Sequence, residues 1–354
     1  MYKNKTSIIF VKKKQMSKAF IKFSWITLVF IFLVVVAGSV VRSTGSGMGC
    51  PDWPKCFNKV VPPTDVSELP EDYKDIYVAK RIQKVEKFAK ILSFIGMEVE
   101  AEQLKNDKTL LLEQDFNWKR TWTEYGNRLV GFVAGNMVLV TLIWVLISYR
   151  QNKVLVFLSL LNLFLMGFEG WMGSIVVATN LVPWILTIHM LFALVIIWIQ
   201  IKIIRIAKGQ SYQIRISKTF RVLFYSSILL SIIQILLGTQ VRQKIDFLVA
   251  DNIDRGAWIS NMNVDFYFHR SLIWLVLIVN GTLFWLNKKN NYGMVIYKYI
   301  IALISVEFLT GVLFSYAGMP AILQPIHLVV ASLMLAVQLY GLKFFKYKTE
   351  SLIR

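Results

Sequence analysis

Eight long apolar stretches constrain this chain more than any other feature of its sequence. A hydrocarbon core of about 30 Å is crossed by a helix of roughly 20 apolar residues. Composition agrees, because 56% of the residues are hydrophobic and 17% are charged, whereas soluble domains carry about 25% charged residues. We therefore predict an all-α polytopic membrane protein with eight transmembrane helices, near 22–41, 124–149, 154–177, 184–206, 219–240, 266–286, 297–316 and 322–345.

The formal net charge of +19 is read differently in a membrane protein than in a soluble one. A basic soluble domain suggests nucleic acid, but Lys and Arg in a membrane protein retain loops on the cytoplasmic side. They are frequent in 1–21, after spans two, four and six, and in the tail, whereas 178–183 and 317–321 contain none. We predict a cytoplasmic N-terminal segment at 1–21, a cytoplasmic C-terminus, a lipid bilayer as surroundings and no nucleic-acid partner.

The hydrophilic loop at 42–123 follows the first span and lies on the outer side in this topology. Its segment from 64 to 119 mixes Lys and Glu in a helical pattern. One or two surface helices are expected here, forming a helical extracytoplasmic insertion.

The chain contains an internal repeat. The first and fifth spans both end in a glycine followed four positions later by arginine, and three further pairs of positions correspond. The corresponding features are Gly38 to Arg42 with Gly238 to Arg242, Glu169 to Gly173 with Glu307 to Gly311, Asn127 with His269, and His189 with His327. The repeat predicts two pseudo-symmetric four-helix bundles, an N-terminal half at 22–210 and a C-terminal half at 211–354.

All three histidines lie near the start of an even-numbered span, and Asn127 occupies the fourth equivalent position. A lone intramembrane histidine is often a hydrogen-bond partner between helices, but three at repeat-related positions favour heme-iron ligands. His269 and His327 make a complete axial pair, whereas His189 is matched only by Asn127, whose amide is a poor iron ligand. Zinc is less expected, because no thiolate or carboxylate cluster joins the histidines.

Several arginines lie at the outer ends of spans. They either extend their charged groups to lipid headgroups or pair with carboxylates such as heme propionates, and the sequence leaves both interpretations open. These residues are Arg42, Arg128, Arg242 and Arg270. Glu169 and Glu307 lie deeper in their spans, and their placement favours packing or hydrogen bonding between helices over chemistry.

Two cysteines, Cys50 and Cys56, lie in the loop after the first span. The outer compartment is oxidising, so this pair can form a disulfide. A redox role for the pair is open.

The run from Val41 to Cys56, V-R-S-T-G-S-G-M-G-C-P-D-W-P-K-C, resembles the heme A synthase family, in its bacterial type with a cysteine pair in the first outer loop. The resemblance extends over the eight spans, the two halves and the Glu-x-x-x-Arg that opens span two. It implies an oxidoreductase of the bacterial cytoplasmic membrane that oxidises a methyl group of heme O to the formyl group of heme A. It further implies that the product serves the biogenesis of heme–copper oxidases.

The resemblance also implies roles for individual residues. His269 and His327 match the ligands of a heme b cofactor, and His189 matches a ligand of the site for the substrate, heme O. Glu124 matches a catalytically important carboxylate, although Arg128 follows four positions later and a structural ion pair on the same helix face is the alternative. Many members have histidine where this chain has Asn127, so one axial histidine is expected at the substrate site.

The implied partners are a heme O synthase and a quinone or another electron acceptor, and a homo-oligomer is left open. The alternative function is a non-enzymatic, cytochrome b-like electron carrier, which explains His269 and His327 but not the second, incomplete site. A transporter is a third interpretation, and it leaves the histidines and the cysteine loop unexplained.

Overall fold

The computed structural model of the chain describes residues 8–12, 15–111, 113–179, 182–214 and 216–342. The basic tail and much of the predicted N-terminal segment lie outside these residues. The structure therefore does not bear on the predicted location of the two termini.

Eight helices in the described part of the chain are long and apolar enough to cross a membrane, as predicted. They are α1 (Lys18–Ser43), α4 (Trp118–Ser148), α5 (Lys153–Ala178), α6 (Pro183–Lys208), α7 (Lys218–Ala250), α8 (Val264–Lys289), α9 (Ile296–Tyr316) and α10 (Leu323–Gly341). The chain is thus a multi-pass helical membrane protein.

The fifth span is longer than its apolar stretch predicts, because α7 continues to Ala250 instead of ending near 240. Charged residues interrupt the hydropathy after that point, but the helix becomes amphipathic rather than ending. Val241, Ile245 and Leu248 share one face and are buried against Trp258. Burial of that face stabilises the extra turns. Two short 3-10 turns follow, at Arg255–Ala257 and Ile259–Asn261.

The insertion between the first two spans is helical, as predicted. It contains α2 (Tyr73–Phe94) and α3 (Glu98–Lys105), with 3-10 turns at Val66–Glu68 and Lys108–Leu111. Phe88 and Leu92 of α2 are buried in one cluster with Met172 of α5 and Ile185 of α6. The insertion is therefore held against the ends of two spans.

A two-stranded antiparallel sheet is the one element of a different kind among the described residues. Strand β1 (Ile8–Lys12) pairs with β2 (Gln210–Ile214), with Ile8 opposite Ile214 and Lys12 opposite Gln210. This sheet was not predicted, because five residues in a basic segment carry too short a pattern to indicate a strand.

Contacts group the chain into two units, which are described separately. One unit comprises 1–28, 144–159 and 197–354. Within it α7, α8, α9 and α10 each pack on their neighbours, and α10 closes the bundle on α7. The bundle interior contains a polar triad, in which Ser227 donates to Asn280 at 2.7 Å and Gln338 donates to Ser227 at 2.8 Å.

The other unit comprises 29–143 and 160–196. Here Gly135 of α4 lies against Met166 of α5, and Phe168 of α5 packs edge-on against Phe192 of α6, with ring centres 4.9 Å apart. The division of the chain into functional halves at 22–210 and 211–354 stays a prediction.

Candidate functional site

The structure brings together His269 of α8 and His327 of α10. Their ring centres are 6.1 Å apart and the ring planes cross at 73°. The ring of Phe314 on α9 lies against His327, with centres 5.2 Å apart. The pair predicted from the repeat therefore occupies one place in the bundle of α7–α10.

The Nδ1 edge of His327 is held by two residues of α9. Thr310 Oγ1 lies 2.7 Å from Nδ1, and Oε2 of Glu307 lies 3.0 Å from the same nitrogen. The threonine hydroxyl also donates to the carbonyl of Val306 at 2.9 Å or of Glu307 at 3.0 Å. Its single hydrogen is thereby directed to a carbonyl, so its lone pair faces the imidazole.

His269 is positioned by close packing instead of by an acid. A Cβ built on Gly238 of α7 would lie 3.4 Å from Cε1 of His269. Gln234 of α7 donates to the backbone carbonyl of His269 at 3.2 Å, and Nδ1 of the ring is buried without a hydrogen-bond partner. The absence of a side chain at position 238 leaves the space that the imidazole occupies.

In the other unit, His189 of α6 faces Glu169 of α5. Nδ1 of the imidazole lies 2.9 Å from Oε2 of the carboxyl group, although the two atoms are not aligned as in a linear hydrogen bond. The side chain of His189 is 35% exposed, whereas that of Glu169 is buried. A buried carboxyl group thus supports an accessible imidazole.

Asn127 lies in the same unit as His189 and repeats the environment of His269. A Cβ on Gly38 of α1 would lie 3.9 Å from Oδ1 of Asn127, as one on Gly238 would meet His269. Oδ1 of Asn127 is buried without a hydrogen-bond partner. The correspondence of Gly38 with Gly238, first seen as a spacing, is therefore a structural one.

Glu169 and Glu307 were expected to serve packing or hydrogen bonding between helices, and each contacts a histidine of the following helix. Each lies beside a candidate iron ligand. The sequence carries a signal for these two contacts, since His189 follows Glu169 and His327 follows Glu307 by the same twenty positions.

Cys50 and Cys56 form a disulfide, as predicted, with Cα atoms 4.9 Å apart. Glu124 holds this loop to α4, because its Oε2 accepts the backbone N–H of Cys50 at 2.7 Å. The loop also approaches α4 very closely, and a Cβ on Gly49 would lie 2.5 Å from the carbonyl oxygen of Arg120. Glycine is required at position 49, because any larger side chain would clash with the backbone of α4 and prevent this contact.

Arg128 completes the attachment of the disulfide loop. It pairs with Oε1 of Glu124 and donates to the carbonyls of Cys50 at 2.9 Å and Lys55 at 2.8 Å, as well as to that of Asp52. Glu124 is 3% exposed. The structural ion pair considered from the sequence is therefore present, and a catalytic role for Glu124 stays a prediction.

The remaining arginines differ in their surroundings. Arg242 contacts Gln324 and forms an ion pair with Asp246 at 2.7 Å. The guanidinium of Arg270 is exposed and lies over the rings of Phe266 and Tyr267, 5.6 and 5.3 Å from their centres. Contact of Arg42, Arg128, Arg242 or Arg270 with heme propionates stays a prediction.

The insertion contains a buried ion pair between Arg81 of α2 and Glu113. Burial raises the pKa of the Glu113 carboxyl above its ordinary value, although the Arg81 guanidinium acts in the opposite direction. Burial also raises the pKa of Tyr77 to about 12. These groups lie away from the histidines in sequence, and they stabilise the insertion.

Within the described residues, no group of three or more His, Cys, Asp or Glu side chains could hold a bare metal ion. The histidines instead occur as a pair in one unit and singly in the other. Residues 21–339 match the COX15-CtaA family, which is described as cytochrome oxidase assembly protein. The chain belongs to this family.

Relatives with curated names point the same way. A heme A synthase of Shewanella oneidensis is 27% identical over 170 residues, which are 47% of this chain but only 39% of that relative. The heme A synthase of Ehrlichia ruminantium strain Gardel is 24% identical and that of Flavobacterium psychrophilum is 22% identical. Each alignment covers 89% of this chain, and they cover 90% and 94% of the respective relatives.

No solved structure matches this chain. Membership in the family supports a role in heme A biosynthesis, in a multi-pass membrane protein. The resemblance noted in the cysteine loop is thereby confirmed over most of the chain.

Proposed function

We propose that this chain is a membrane-bound heme A synthase that oxidises the methyl group of heme O to the formyl group of heme A. Two features support the proposal together. One is the family match over residues 21–339, and the other is a paired histidine site in one unit with a second, single-histidine site in the other.

The distance between His269 and His327 is the observation that carries the assignment of heme b. A metal–imidazole bond is about 2 Å long and the ring centre lies about 1 Å behind the nitrogen, so two rings on opposite sides of one iron have centres about 6 Å apart. The measured separation of 6.1 Å fits that requirement. The residues present therefore fit a heme held by two histidines, which would supply one-electron transfer when bound.

The substrate heme is assigned to the other unit. His189 would hold its iron, and Asn127, whose amide is a poor iron ligand, stands in the same unit at the position that corresponds to His269. A substrate must enter and leave, and a single protein ligand suits this better than two. The accessible ring of His189, 35% exposed, is consistent with that task.

Converting a methyl group to a formyl group through the alcohol takes up one oxygen atom from water and releases four electrons and four protons, and the difficult chemistry belongs to the heme. The protein's contribution is to hold the substrate iron at His189 and to offer the buried carboxyl group of Glu124. This group would serve as a general base or stabilise a cationic intermediate. The electrons pass to a quinone or another membrane acceptor, and heme O synthase would supply the substrate.

The proposal is tested by expressing the protein with a source of heme O and separating the extracted hemes by chromatography. Wild-type protein is expected to yield heme A. His189→Ala should yield heme O in its place while heme b is retained, and Ile278→Ala, at a lipid-facing position that is 65% exposed, should match wild type. Wild-type protein that yields heme b but no heme A contradicts the proposal and favours the electron carrier.

A further inference from the structure

We propose that Glu307 positions the ring of His327 and that Glu169 positions the ring of His189. Each glutamate is a positioning residue on the helix that precedes its histidine in the chain. Each carboxyl group lies at the Nδ1 edge of its imidazole, which would leave Nε2 as the nitrogen that binds iron. The inference rests on the proposed function, and it assigns to these two residues a role in orienting ligands and tuning the heme. His327 and His189 are the ligands concerned.

The same arrangement occurs in both units. The Glu307 and His327 atoms approach to 3.0 Å, and those of Glu169 and His189 to 2.9 Å. Both carboxyl groups are buried. Two independent pairs with equal spacing along the chain are a pattern that packing alone does not require.

The hydrogen bonds around His327 identify which of its nitrogens is available to iron. The hydroxyl hydrogen of Thr310 is directed to a backbone carbonyl, so its oxygen accepts from Nδ1 at 2.7 Å and Nδ1 carries the ring proton. Oε2 of Glu307 lies 3.0 Å from the same nitrogen. The lone pair then lies on Nε2, which leaves that nitrogen free to bind the metal.

Packing is a weaker explanation for these two glutamates. In each, Oε1 is buried without a hydrogen-bond partner, and a buried polar atom that lacks its hydrogen bond destabilises the fold. A leucine would fill the same space without that cost. A group retained in spite of it is expected to have another task, and the adjacent imidazole provides one.

The two pairs differ in one respect that matches the difference between their hemes. Thr310 gives His327 a second acceptor, whereas the position three residues after Glu169 is Met172, which has no hydroxyl group. The ring of His327 is thus fixed from two sides, as suits a resident cofactor. Among the described residues, Glu169 approaches Nδ1 of His189 to 2.9 Å without an aligned hydrogen bond, which leaves this ring freer to turn as a substrate binds and leaves.

An acceptor at Nδ1 also changes the properties of the iron. A carboxylate there makes the imidazole a stronger donor, which stabilises ferric over ferrous iron and lowers the reduction potential. Loss of the carboxylate at position 307 should therefore make the midpoint potential of heme b more positive. A residue that serves packing alone would not shift this potential.

The test uses full-length protein purified with its bound heme. Glu307→Gln and Thr310→Val are compared with Ser305→Ala, a matched control on the exposed side of α9. Redox potentiometry should give a more positive midpoint in both variants, with the larger change in Glu307→Gln, and low-temperature EPR should show altered low-spin g values. Ser305→Ala should match wild type in both measurements.

The substrate site is tested by titrating heme O into Glu169→Gln. Loss of a hydrogen-bond partner of a metal ligand typically lowers metal affinity by about 10–100-fold. We therefore expect heme O to bind at least about 10-fold more weakly, with the heme b potential unchanged. Unaltered heme O affinity in this variant would remove Glu169 from the inference.

The outcomes separate this inference from the function on which it rests. Full heme content with an unchanged midpoint and EPR spectrum in Glu307→Gln would show that Glu307 only packs, while the proposed function would stand. Wild-type protein without low-spin heme would contradict the proposed function itself. If Glu307→Gln fails to accumulate, Glu307→Asp decides the same question, because its shorter side chain keeps the charge and draws the carboxyl group away from Nδ1.

Discussion

The carboxyl group of Glu124 accepts the backbone N–H of Cys50 at 2.7 Å, across 74 positions of the chain. Its other oxygen pairs with Arg128, which in turn binds carbonyls of the loop. One buried acid therefore anchors the disulfide loop to the helix that presents Asn127. Glu124 thus has a structural role as the anchor of this loop and a proposed chemical role, and substitutions can separate the two.

We expect Glu124→Ala to lower both the thermal stability of the protein and its yield of heme A. Removing the acid leaves the Cys50 N–H without its acceptor and takes one of four acceptors from the Arg128 guanidinium, and loss of a hydrogen bond to a charged group costs about 1.5–3 kcal/mol. Glu124→Gln keeps an amide oxygen for Cys50 and should retain more of the stability. The measurements are the melting temperature in detergent and the chromatographic heme analysis.

The matched control is Glu71→Ala at an exposed position of the insertion, which should behave as wild type. Glu124→Gln with normal melting but no heme A would support a chemical role in addition to the anchoring one. A Glu124→Ala protein that melts and makes heme A as wild type does would contradict both roles.

Substitution of Gly238 should disturb the heme b site through His269. An added Cβ would meet Cε1 of the ring at 3.4 Å, so Gly238→Ala should move the ring by a few tenths of an ångström and Gly238→Val should displace it further. We expect a graded loss of low-spin heme in optical spectra, from wild type through alanine to valine. Gly281→Ala on α8, where an added Cβ would meet nothing within 4 Å, is the control, and equal spectra for all four proteins would contradict the account.

Asn127→His should convert the substrate site toward two histidine ligands. A Cβ built on Gly38 would lie 3.9 Å from Oδ1 of Asn127. His269 lies beside Gly238 in the same way. We expect heme O loaded into this variant to become low-spin and six-coordinate and to dissociate more slowly. An absorption spectrum identical to that of loaded wild type would count against the equivalence of Asn127 and His269.

The buried pair in the insertion predicts a pH dependence of stability. Because burial raises the pKa of Glu113 above its ordinary value of 4.5, the folded insertion binds a proton more readily than the unfolded chain. Its stabilising contribution is complete below about pH 4.5 and is lost as the pH rises through the raised pKa. Glu113→Gln cannot ionise and should lack this dependence.

Hydrogen exchange of α2 amides, corrected for intrinsic rates, measures this effect. Protection in wild type should fall more steeply with rising pH in that window than protection in Glu113→Gln. Glu98→Gln, at an exposed position of α3, should follow wild type. Parallel curves for wild type and Glu113→Gln would show that Glu113 does not control the insertion's response to pH.

The spans could be predicted from sequence because length and hydropathy determine them almost alone. The end of α7 could not, since Val241, Ile245 and Leu248 continue the helix through amphipathic burial that a hydropathy average does not detect. The short ladder between β1 and β2 joins segments about 200 positions apart. A pairing of that range leaves no local pattern.

The candidate site, too, could be predicted only in part from the sequence. The histidine pair and its weaker counterpart with Asn127 followed from the repeat. The partners of these residues did not, because the approach of Gly238 to His269 and the bond from Cys50 to Glu124 depend on how separate segments pack. The Glu–His spacing of twenty residues was visible, but its meaning required knowing that helices α5 and α9 face α6 and α10 at that depth.

The claim that His269 and His327 bind one iron is tested most directly by low-temperature EPR of purified protein expressed without heme O. The account predicts a low-spin ferric signal in wild type that becomes high-spin in both His269→Ala and His327→Ala and persists in His189→Ala. A low-spin signal that survives in His269→Ala and in His327→Ala would contradict it.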